Sequence, residues 1–201
     1  MIDSERFPSL ADYVERLPDG LASYPECQSK GSLLLSAVLD QDLDEITEGL
    51  PPVLVNVMRA PPPAGVWVSA VLSDAAFHAV CDRVYATDDA MLAWCRERTM
   101  MMATNPLYRA FFRVSGPRVL FKMSMHSHRL FQRGTDLEIE TLEPNRVVSR
   151  MTHPPHLHSR LNQLSNVSLF EAIAELTGGK NVKATMLERG PTEALYECTW
   201  Q

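Results

Sequence analysis

An α+β fold is predicted by three features of this chain of 201 residues. Its C-terminal third alternates apolar and polar residues, which is typical of strands. The preceding part carries apolar stripes with helical spacing, and glycines and prolines separate the segments. We therefore expect a helical N-terminal layer packed on a C-terminal four-stranded, mostly antiparallel sheet of ββαββ order. Residues 1–27 are expected to form an N-terminal helical extension and residues 28–201 a single α+β domain.

The predicted helical layer begins with an amphipathic stripe of Leu10, Tyr13 and Leu17, which a Pro-Asp-Gly turn ends. Residues 33–38 are an apolar run, and periodicity leaves open whether they form a buried strand or a helix. N-cap residues, starting prolines and apolar spacing predict four more helices. These helices cover residues 74–85 after Ser73 as N-cap, about 87–101, 105–114 and 117–131.

The C-terminal part is predicted as two hairpins separated by a helix. The strands cover residues 136–142, 146–152, 182–186 and 194–200, and the helix covers residues 165–176. The helix can begin at Ser165 or at Ser168, because both precede residues that suit a first turn. In the last strand Tyr196, Cys198 and Trp200 fall on one face. A sheet of two hairpins should be largely antiparallel, with helices covering one face.

Seven basic and no acidic residues lie between Glu97 and Asp136, although the formal net charge of the chain is −6. Six of the seven form pairs four residues apart, which on a helix places like charges on one face. The pairs are Arg109 with Arg113, Arg118 with Lys122, and Arg129 with Arg133. Two explanations stay open: the acidic residues of the N-terminal half neutralise these cations, or an anionic ligand or partner does. Nucleic acid is not an expected partner, because the isoelectric point is near 5.5.

Six of the ten methionines fall between residues 91 and 125, a stretch that overlaps this cationic region. Flexible thioethers suit a plastic apolar pocket or partner groove, and they also suit core packing. Arginine binds carboxylate or phosphate through its planar fork. The candidate ligand-binding or partner-binding residues are therefore four cations and two methionines: Arg109, Arg113, Arg118, Lys122, Met101 and Met123.

Five of the six histidines lie between residues 126 and 158. His153, His156 and His158 share one loop after the second predicted strand, and they are the candidates for a metal site because imidazole binds several transition metals. Two prolines stiffen this loop and favour extended backbone, which need not bring the rings together. His126 and His128 fall on nearly opposite sides of a predicted helix. We therefore expect no bound transition metal.

Five short segments, together with the two hairpins, carry a resemblance that spans most of the chain. They are Gln28-Ser29-Lys30-Gly31-Ser32, Gly65-Val66-Trp67-Val68, Val84-Tyr85, Ser115-Gly116-Pro117-Arg118 and Tyr196-Glu197-Cys198-Thr199-Trp200. In these segments the chain resembles an uncharacterised paralogous family that is expanded in myxobacteria (DUF2378). That family in turn resembles, more distantly, the 4-vinyl-reductase-type and haem-NO-binding-type small-molecule domains. The resemblance implies an α+β ligand-binding or regulatory module, and it transfers no catalytic residue to this chain.

The haem-NO-binding family holds the haem propionates with a Tyr-x-Ser-x-Arg signature. Residues 125–129 of this chain keep Ser127 and Arg129 at that spacing but have Met125 where the tyrosine belongs. Because of this departure we expect no haem, and we predict no other cofactor.

The expected function is that of a non-enzymatic cytosolic ligand-binding or regulatory module. Its apolar pocket would have a cationic rim and would take a small acidic or apolar ligand. Two alternatives stay open: a protein-interaction module, monomeric or homodimeric, that uses the Met-rich and Arg-rich helices, and a metal-dependent enzyme built on the loop from His153 to His158. No catalytic or nucleotide-binding motif is present. We expect a cytoplasmic protein with reduced thiols, without a membrane span or signal peptide.

Overall fold

A computed structural model describes residues 2–102 and 116–201, and it has the α+β architecture that the sequence predicts. The described helices are α1 (Pro8–Arg16), α2 (Gly31–Val38), α3 (Leu43–Ile46), α4 (Pro52–Arg59), α5 (Ala70–Val84), α6 (Asp88–Met102), α7 (Pro117–Phe131) and α8 (Arg160–Leu176). The strands are β1 (Gln28–Lys30), β2 (Trp67–Ser69), β3 (Gln132–Arg133), β4 (Asp136–Glu143), β5 (Arg146–Thr152), β6 (Lys183–Arg189) and β7 (Glu193–Thr199). Over these two ranges no helix has the length and apolarity that crossing a membrane requires.

Helix α5 lies at the centre of the N-terminal core. Its buried surface is rich in alanine, and small side chains let neighbouring helices approach closely. The four buried alanines are Ala70, Ala75, Ala76 and Ala79. Helices α1, α2 and α4 pack on α5, and the stripe predicted on α1 contributes Leu10, Tyr13 and Leu17 to this core. The first helix is therefore built into the core, and the domain boundary at residue 27 stays a prediction.

A small three-stranded antiparallel sheet, which the sequence did not predict, connects the helices to the C-terminal part. Strand β1 lies between β2 and β3. Gly31 follows β1 directly, and a Cβ atom there would lie 2.5 Å from the carbonyl oxygen of Pro63. Only glycine therefore allows α2 to begin against this proline loop. Strands of two or three residues are too short to show an alternation, which is why the pattern did not reveal them.

The C-terminal sheet has four strands in the order β4-β5-β7-β6, and every neighbouring pair is antiparallel. The predicted ββαββ arrangement is confirmed, and α8 packs on the sheet. Tyr196, Cys198 and Trp200 share a buried face and form the second core, as predicted. Helix α7 joins this core through Phe121, whose ring stacks on Trp200 with 5.6 Å between the ring centres.

Two helix starts differ from the predictions, and the structure decides one segment that the sequence left open. Residues 33–38, left open in the sequence, lie in helix α2. Helix α5 begins after Ser69, which accepts a hydrogen bond from the amide of Leu72, and not after Ser73. Helix α8 begins after Ser159, which forms a capping box with Asn162. The prediction missed this start because the box closes on asparagine, whereas glutamate or glutamine is the usual partner. The helix predicted at 105–114 lies outside the described residues.

The loop that carries His153, His156 and His158 is held by tyrosines from the N-terminal part of the chain. The hydroxyl of Tyr13 donates to the carbonyl of Leu157 over 2.9 Å, and the hydroxyl of Tyr24 donates to the carbonyl of Pro155 over 2.9 Å. Two backbone amides of the loop donate to the turn between β6 and β7. The loop is therefore fixed between the two cores.

His78 makes a second connection between the cores, because it lies buried between α1 and α8. Its ring stacks on Tyr13 with 4.9 Å between the centres. Its Nε2 donates to Oδ1 of Asn162 over 3.1 Å, since an amide oxygen can only accept, and its Nδ1 lies 3.0 Å from the hydroxyl of Ser9. Burial lowers the pKa of His78 to about 4.

Replacing Tyr196 or Trp200 by aspartate should abolish folding, because each side chain is at most 6% exposed and a carboxylate there would be buried without a partner. Thr199→Asp, on the more exposed face of β7, is the matched control and should cost under about 1 kcal/mol. Circular-dichroism melts measure both effects. Cooperative melts from soluble Tyr196→Asp and Trp200→Asp chains would contradict the orientation of this strand.

Acid should destabilise the fold through His78. Its folded pKa of about 4 lies below the ordinary value of 6.5, so its contribution is fully present above pH 6.5 and falls as the pH drops toward 4. The loss should be on the order of 3 kcal/mol. The free energy of unfolding, measured in urea from pH 7 to pH 4, should vary less in His78→Asn than in the wild type. His126→Asn, which changes an exposed histidine, should keep the wild-type slope.

Candidate ligand cavity between the helices

A cavity of about 200 Å³ lies between helices α2, α5, α6 and α8. Strands β1 and β3 and the histidine loop each add one residue to its wall. It therefore lies where the N-terminal helices meet the C-terminal part of the chain. Sites between packed layers are common places for small-molecule binding.

Aromatic and aliphatic side chains form the apolar part of the wall, among them Leu33, Phe77, Trp94 and Leu169. The ring of Trp94 stacks on Phe77 with 5.8 Å between the centres, and on Tyr85 with 4.8 Å. This stack fixes α6 against α5, because both stacking partners of Trp94 come from α5 or the residue directly after it. The wall is therefore rigid on this side and suits a flat apolar group.

Three residues of the wall each carry a buried polar atom that has no hydrogen-bond partner in the described part of the chain. These atoms are the hydroxyl oxygen of Ser29, Nε1 of Trp94 and Nε2 of His158. Buried polar groups are normally paired, and each unpaired one costs about 1–3 kcal/mol. Three such atoms in residues around one cavity therefore distinguish this part of the fold from the rest of the core.

His158 is held on the cavity wall by Asp74 of α5. The two side chains form an ion-pair-type contact of 2.9 Å between Nδ1 and Oδ2, and both are largely buried. Because a carboxylate can only accept, the hydrogen lies on Nδ1 of His158. In the neutral ring, Nε2 then carries a lone pair. This arrangement of a carboxylate behind a histidine is the one that orients histidine ligands in metal sites.

His153 lies against His158, but both of its nitrogens are already paired. The two rings meet edge to face with 4.9 Å between their centres. Nδ1 of His153 donates to the carbonyl of Pro154 over 2.9 Å, and Nε2 accepts from the side-chain amide of Gln163 over 3.0 Å. Burial lowers the pKa of His153 to about 4, so the ring is neutral at neutral pH.

His128 of α7 is a third histidine in this part of the chain with a partly buried ring. Its Nε2 donates to the hydroxyl of Thr135 over 2.9 Å, because that hydroxyl donates to the side-chain oxygen of Gln132. Burial, with a smaller contribution from His158, lowers the pKa of His128 to about 4. His128 itself is absent from the cavity wall, whereas Gln132, one turn later, forms part of it.

The cavity has one cation on its wall among the residues that the structure describes. Arg98 of α6 contacts Oδ2 of Asp40 at 3.3 Å and donates to the carbonyl of Leu39 over 2.8 Å. The predicted neutralisation by the acidic N-terminal half therefore applies to Arg98. Its guanidinium still has donors in a planar fork that a carboxylate can use.

The structure describes four of the six candidate residues from the sequence. Arg109 and Arg113 lie outside the described residues. Arg118 and Lys122 are exposed on α7, and Met101 and Met123 are 45% and 42% exposed. The four described residues are all absent from the cavity wall, so as a set they remain candidates for a surface contact.

The three loop histidines do not form a metal site of their own. His153 and His158 meet, but His156 has a left-handed backbone with φ of 61° and is less buried. Over residues 2–102 and 116–201, no group of three His, Cys, Asp or Glu side chains is placed to hold a metal ion. A site there would need ligands from elsewhere, such as those that a macrocycle supplies.

Sequence reasoning missed Asp74, Trp94 and Ser29 as wall residues. Asp74 and His158 are 84 residues apart in the chain, so no local spacing connects them. Trp94 has the pattern of an ordinary core residue on an amphipathic helix. Asp74 lies beyond the first turn of α5, so no local pattern marks it as more than an ordinary polar residue.

A scan against protein families finds no match for this chain, and a search of curated proteins finds no relative. Solved structures do share its fold. An oxygen-binding H-NOX domain related to soluble guanylate cyclases is similar with a TM-score of 0.59 at 10% identity, covering 85% of this chain and 92% of that one. An unliganded Fe(II) H-NOX protein from K. algicida is similar with a TM-score of 0.52 at 11% identity, covering 86% and 96%. At such identities the likeness establishes the fold alone.

The prediction that haem is not a cofactor of such a chain is wrong, because solved domains with this fold include haem proteins. The prediction judged haem by residues 125–129. Ser127 and Arg129 lie on α7 and are absent from the cavity wall, and Arg129 pairs with Asp136 at 3.1 Å. The partial signature therefore says nothing about the cavity, where the histidine is His158.

Reversing two exposed cations, Arg118→Glu with Lys122→Glu, should change the melting temperature by only about 1–2 °C, since neither forms an ion pair with a described residue. Arg150→Glu is the matched control, because Arg150 contacts Glu140 at 2.6 Å and Glu193 at 3.0 Å. Its reversal should lower the melting temperature clearly more. If the double variant is the less stable of the two, the cations on α7 serve the fold and not a partner.

Proposed function

We propose that this chain is a non-enzymatic ligand-binding module with a regulatory role, and that its cavity binds haem. The observation that carries the proposal is the cavity between the helices, three of whose wall residues carry a buried polar atom without a partner among the described residues. The shared fold with H-NOX domains supports haem as the ligand, because a solved H-NOX domain binds oxygen and others are described by their haem. The resemblance to the myxobacterial paralogous family remains part of this proposal.

The wall of the cavity carries residue types that haem sites use, although the cavity as it stands is too small for haem. Phe77 and Trp94 offer flat apolar surfaces for a macrocycle, and Arg98 offers a guanidinium for a propionate carboxylate. His158 offers an imidazole nitrogen, and histidine is a common axial ligand of haem iron. Bound there, haem would supply an iron centre for gas binding or electron transfer. The chain itself would orient the group and limit the access of water.

The size of the cavity adds a requirement. Pockets that bury drug-sized molecules measure about 300–1,000 Å³, and this cavity measures about 200 Å³. Haem binding must therefore widen it, whereas a ligand of a few atoms would fit as it stands. Ligand binding and a change in helix packing are thus coupled, which is what a regulatory module needs.

We place this module in the cytoplasm, and its cysteines support that placement. All four are free thiols in the structure, namely Cys27, Cys81, Cys95 and Cys198. Burial raises the pKa of Cys27 to about 11 and that of Cys95 to about 12, so both resist conversion to thiolate. Inert buried thiols are usual for a reducing compartment.

Purified wild-type chain mixed with ferric haem should retain about one haem per chain through gel filtration, detected by a shifted porphyrin absorbance band. Ala37→Phe should weaken retention about tenfold or more, because Ala37 lies on the cavity wall and a phenyl ring takes up space there. Val53→Phe, on the exposed side of α4, is the control and should bind like the wild type. A wild-type chain that retains no haem would rule out haem as the ligand.

The second candidate function is a protein-interaction module, which the outer surface of α7 favours. Val119, Met123 and Leu130 are exposed, with values of 51%, 42% and 64%, and their spacing places them on one side of the helix. Exposed apolar side chains beside Arg118 and Lys122 suit an acidic partner or a second copy of the chain. A loss of self-association in the charge-reversed α7 variant, without loss of stability, would favour this candidate.

A further inference from the structure

We propose that the outer surface of helix α7 binds an acidic amphipathic helix of another protein. The inference rests on the second candidate function, the protein-interaction module, and it does not depend on haem or on the cavity. It goes further by giving the contact a geometry, in which one helix lies along another. It also gives the partner a chemistry, because the partner helix carries an apolar row with an acidic row beside it.

A single row of exposed side chains runs along α7 with the spacing of a contact between two helices. The row consists of Val119, Met123, His126 and Leu130. Its members are separated by four, three and four residues, and contact positions in a coiled coil repeat about every 3.5 residues. A helix that packs on a core carries a broader apolar stripe. This narrow row therefore suits one partner helix.

Cations lie along one side of this row. Helical spacing places Arg118, Lys122 and Arg129 on the same flank, and α7 contains no acidic residue. Arg129 contacts Asp136 at 3.1 Å, whereas Arg118 and Lys122 form no ion pair with a described residue. Like charges four residues apart on a helix repel each other. An acidic row on a partner helix would relieve that repulsion.

Two further cations lie just beyond the C-terminal end of α7, in the small sheet. The Cζ atom of Arg133 and the Nζ atom of Lys30 each lie 3.9 Å from the centre of the Trp67 ring. The face of the ring attracts a cation but leaves its charge uncancelled. Neither cation forms an ion pair with a described residue. The positive field of α7 therefore extends past the helix, and it favours an acidic partner.

A second copy of the chain is a poor match for this surface. Helix α7 has three exposed large apolar side chains, and each other helix in the described part of the chain has at most one. A second α7 would offer the apolar row, but it would bring cations to a contact that already has an excess of them. The acidic row therefore comes from a different protein.

An anionic membrane also matches less well than a helix. Helices that lie on a membrane insert a wide apolar face, commonly with tryptophan or phenylalanine. The exposed row of α7 has neither, and it contains His126. In a contact between helices a single polar residue in the row is useful, because it pairs with a polar residue opposite and fixes the alignment of the two helices.

Fluorescence anisotropy of a labelled peptide mixed with the full-length chain tests the inference. The probe is a synthetic helix of about three heptads, with leucine at the contact positions and glutamate along one flank. Its control is the same peptide with lysine in place of glutamate. The wild type should bind the acidic peptide about tenfold or more tightly than the basic one. Equal binding of the two peptides, or no binding of either, overturns the inference.

Reversing the charges on α7 should reverse the preference. Arg118→Glu with Lys122→Glu should bind the basic peptide more tightly than the acidic one, a result that misfolding does not produce. Lys180→Glu with Lys183→Glu makes the same change in net charge at two exposed positions elsewhere, and it should keep the wild-type preference. Met123→Ser should weaken the binding of the acidic peptide, because it interrupts the apolar row.

Other outcomes assign the surface to another occupant. Binding to phosphatidylserine vesicles without a preference between the peptides assigns it to a membrane and overturns the inference. A dimer of the chain in sedimentation, which Met123→Ser dissociates, assigns it to a second copy; this overturns the inference and leaves the interaction module standing. None of these measurements uses haem, so a chain that retains no haem leaves this inference intact, and the reverse also holds.

Discussion

The structure depends on the burial of helix α5, whose polar side chains connect everything packed around it. Asp82 accepts from backbone amides in the first turn of α1, where a negative charge also suits the helix dipole. His78 reaches Asn162 at the start of α8, and Asp74 reaches His158 in the preceding loop. These groups are tolerable inside the protein only because each has a partner. The helix therefore joins two apolar cores through polar contacts, and the alanines between them set how closely the neighbours approach.

The cavity lies beside α5, and helices α6 and α8 form its opposite wall. Ion pairs connect these two helices. They join Arg96 to Glu175 and Asp88 to Arg160. The hydroxyl of Ser168 adds a hydrogen bond to a carbonyl of α6 over 2.8 Å. Exposed ion pairs contribute little stability individually, but they restrict how α6 can move. A ligand that widens the cavity acts against these contacts, so part of its binding energy is spent on displacing the helix.

Sequence patterns predicted the C-terminal sheet well because each strand has a buried and an exposed face, and alternation records that directly. The burial of Tyr196 and Trp200 followed from it. The same reasoning could not find the three-stranded sheet, whose strands are too short, or the start of α8, whose capping box closes on Asn162. The residues of the cavity were harder to predict than the fold. Asp74 and His158 meet only because the fold brings distant segments together, and the cationic residues that drew attention in the sequence lie partly on the outer face of α7.

The tyrosine contacts of the histidine loop have a consequence for the order of folding. Tyr13 and Tyr24 bond to residues 144 and 131 positions away, respectively. Closing such long loops costs chain entropy before the contacts between their ends can stabilise the fold. The cavity wall therefore forms late in folding. A chain with only one half formed has no cavity. Any ligand of the cavity therefore binds the native state alone, and by mass action it stabilises the first helix and the last strand together.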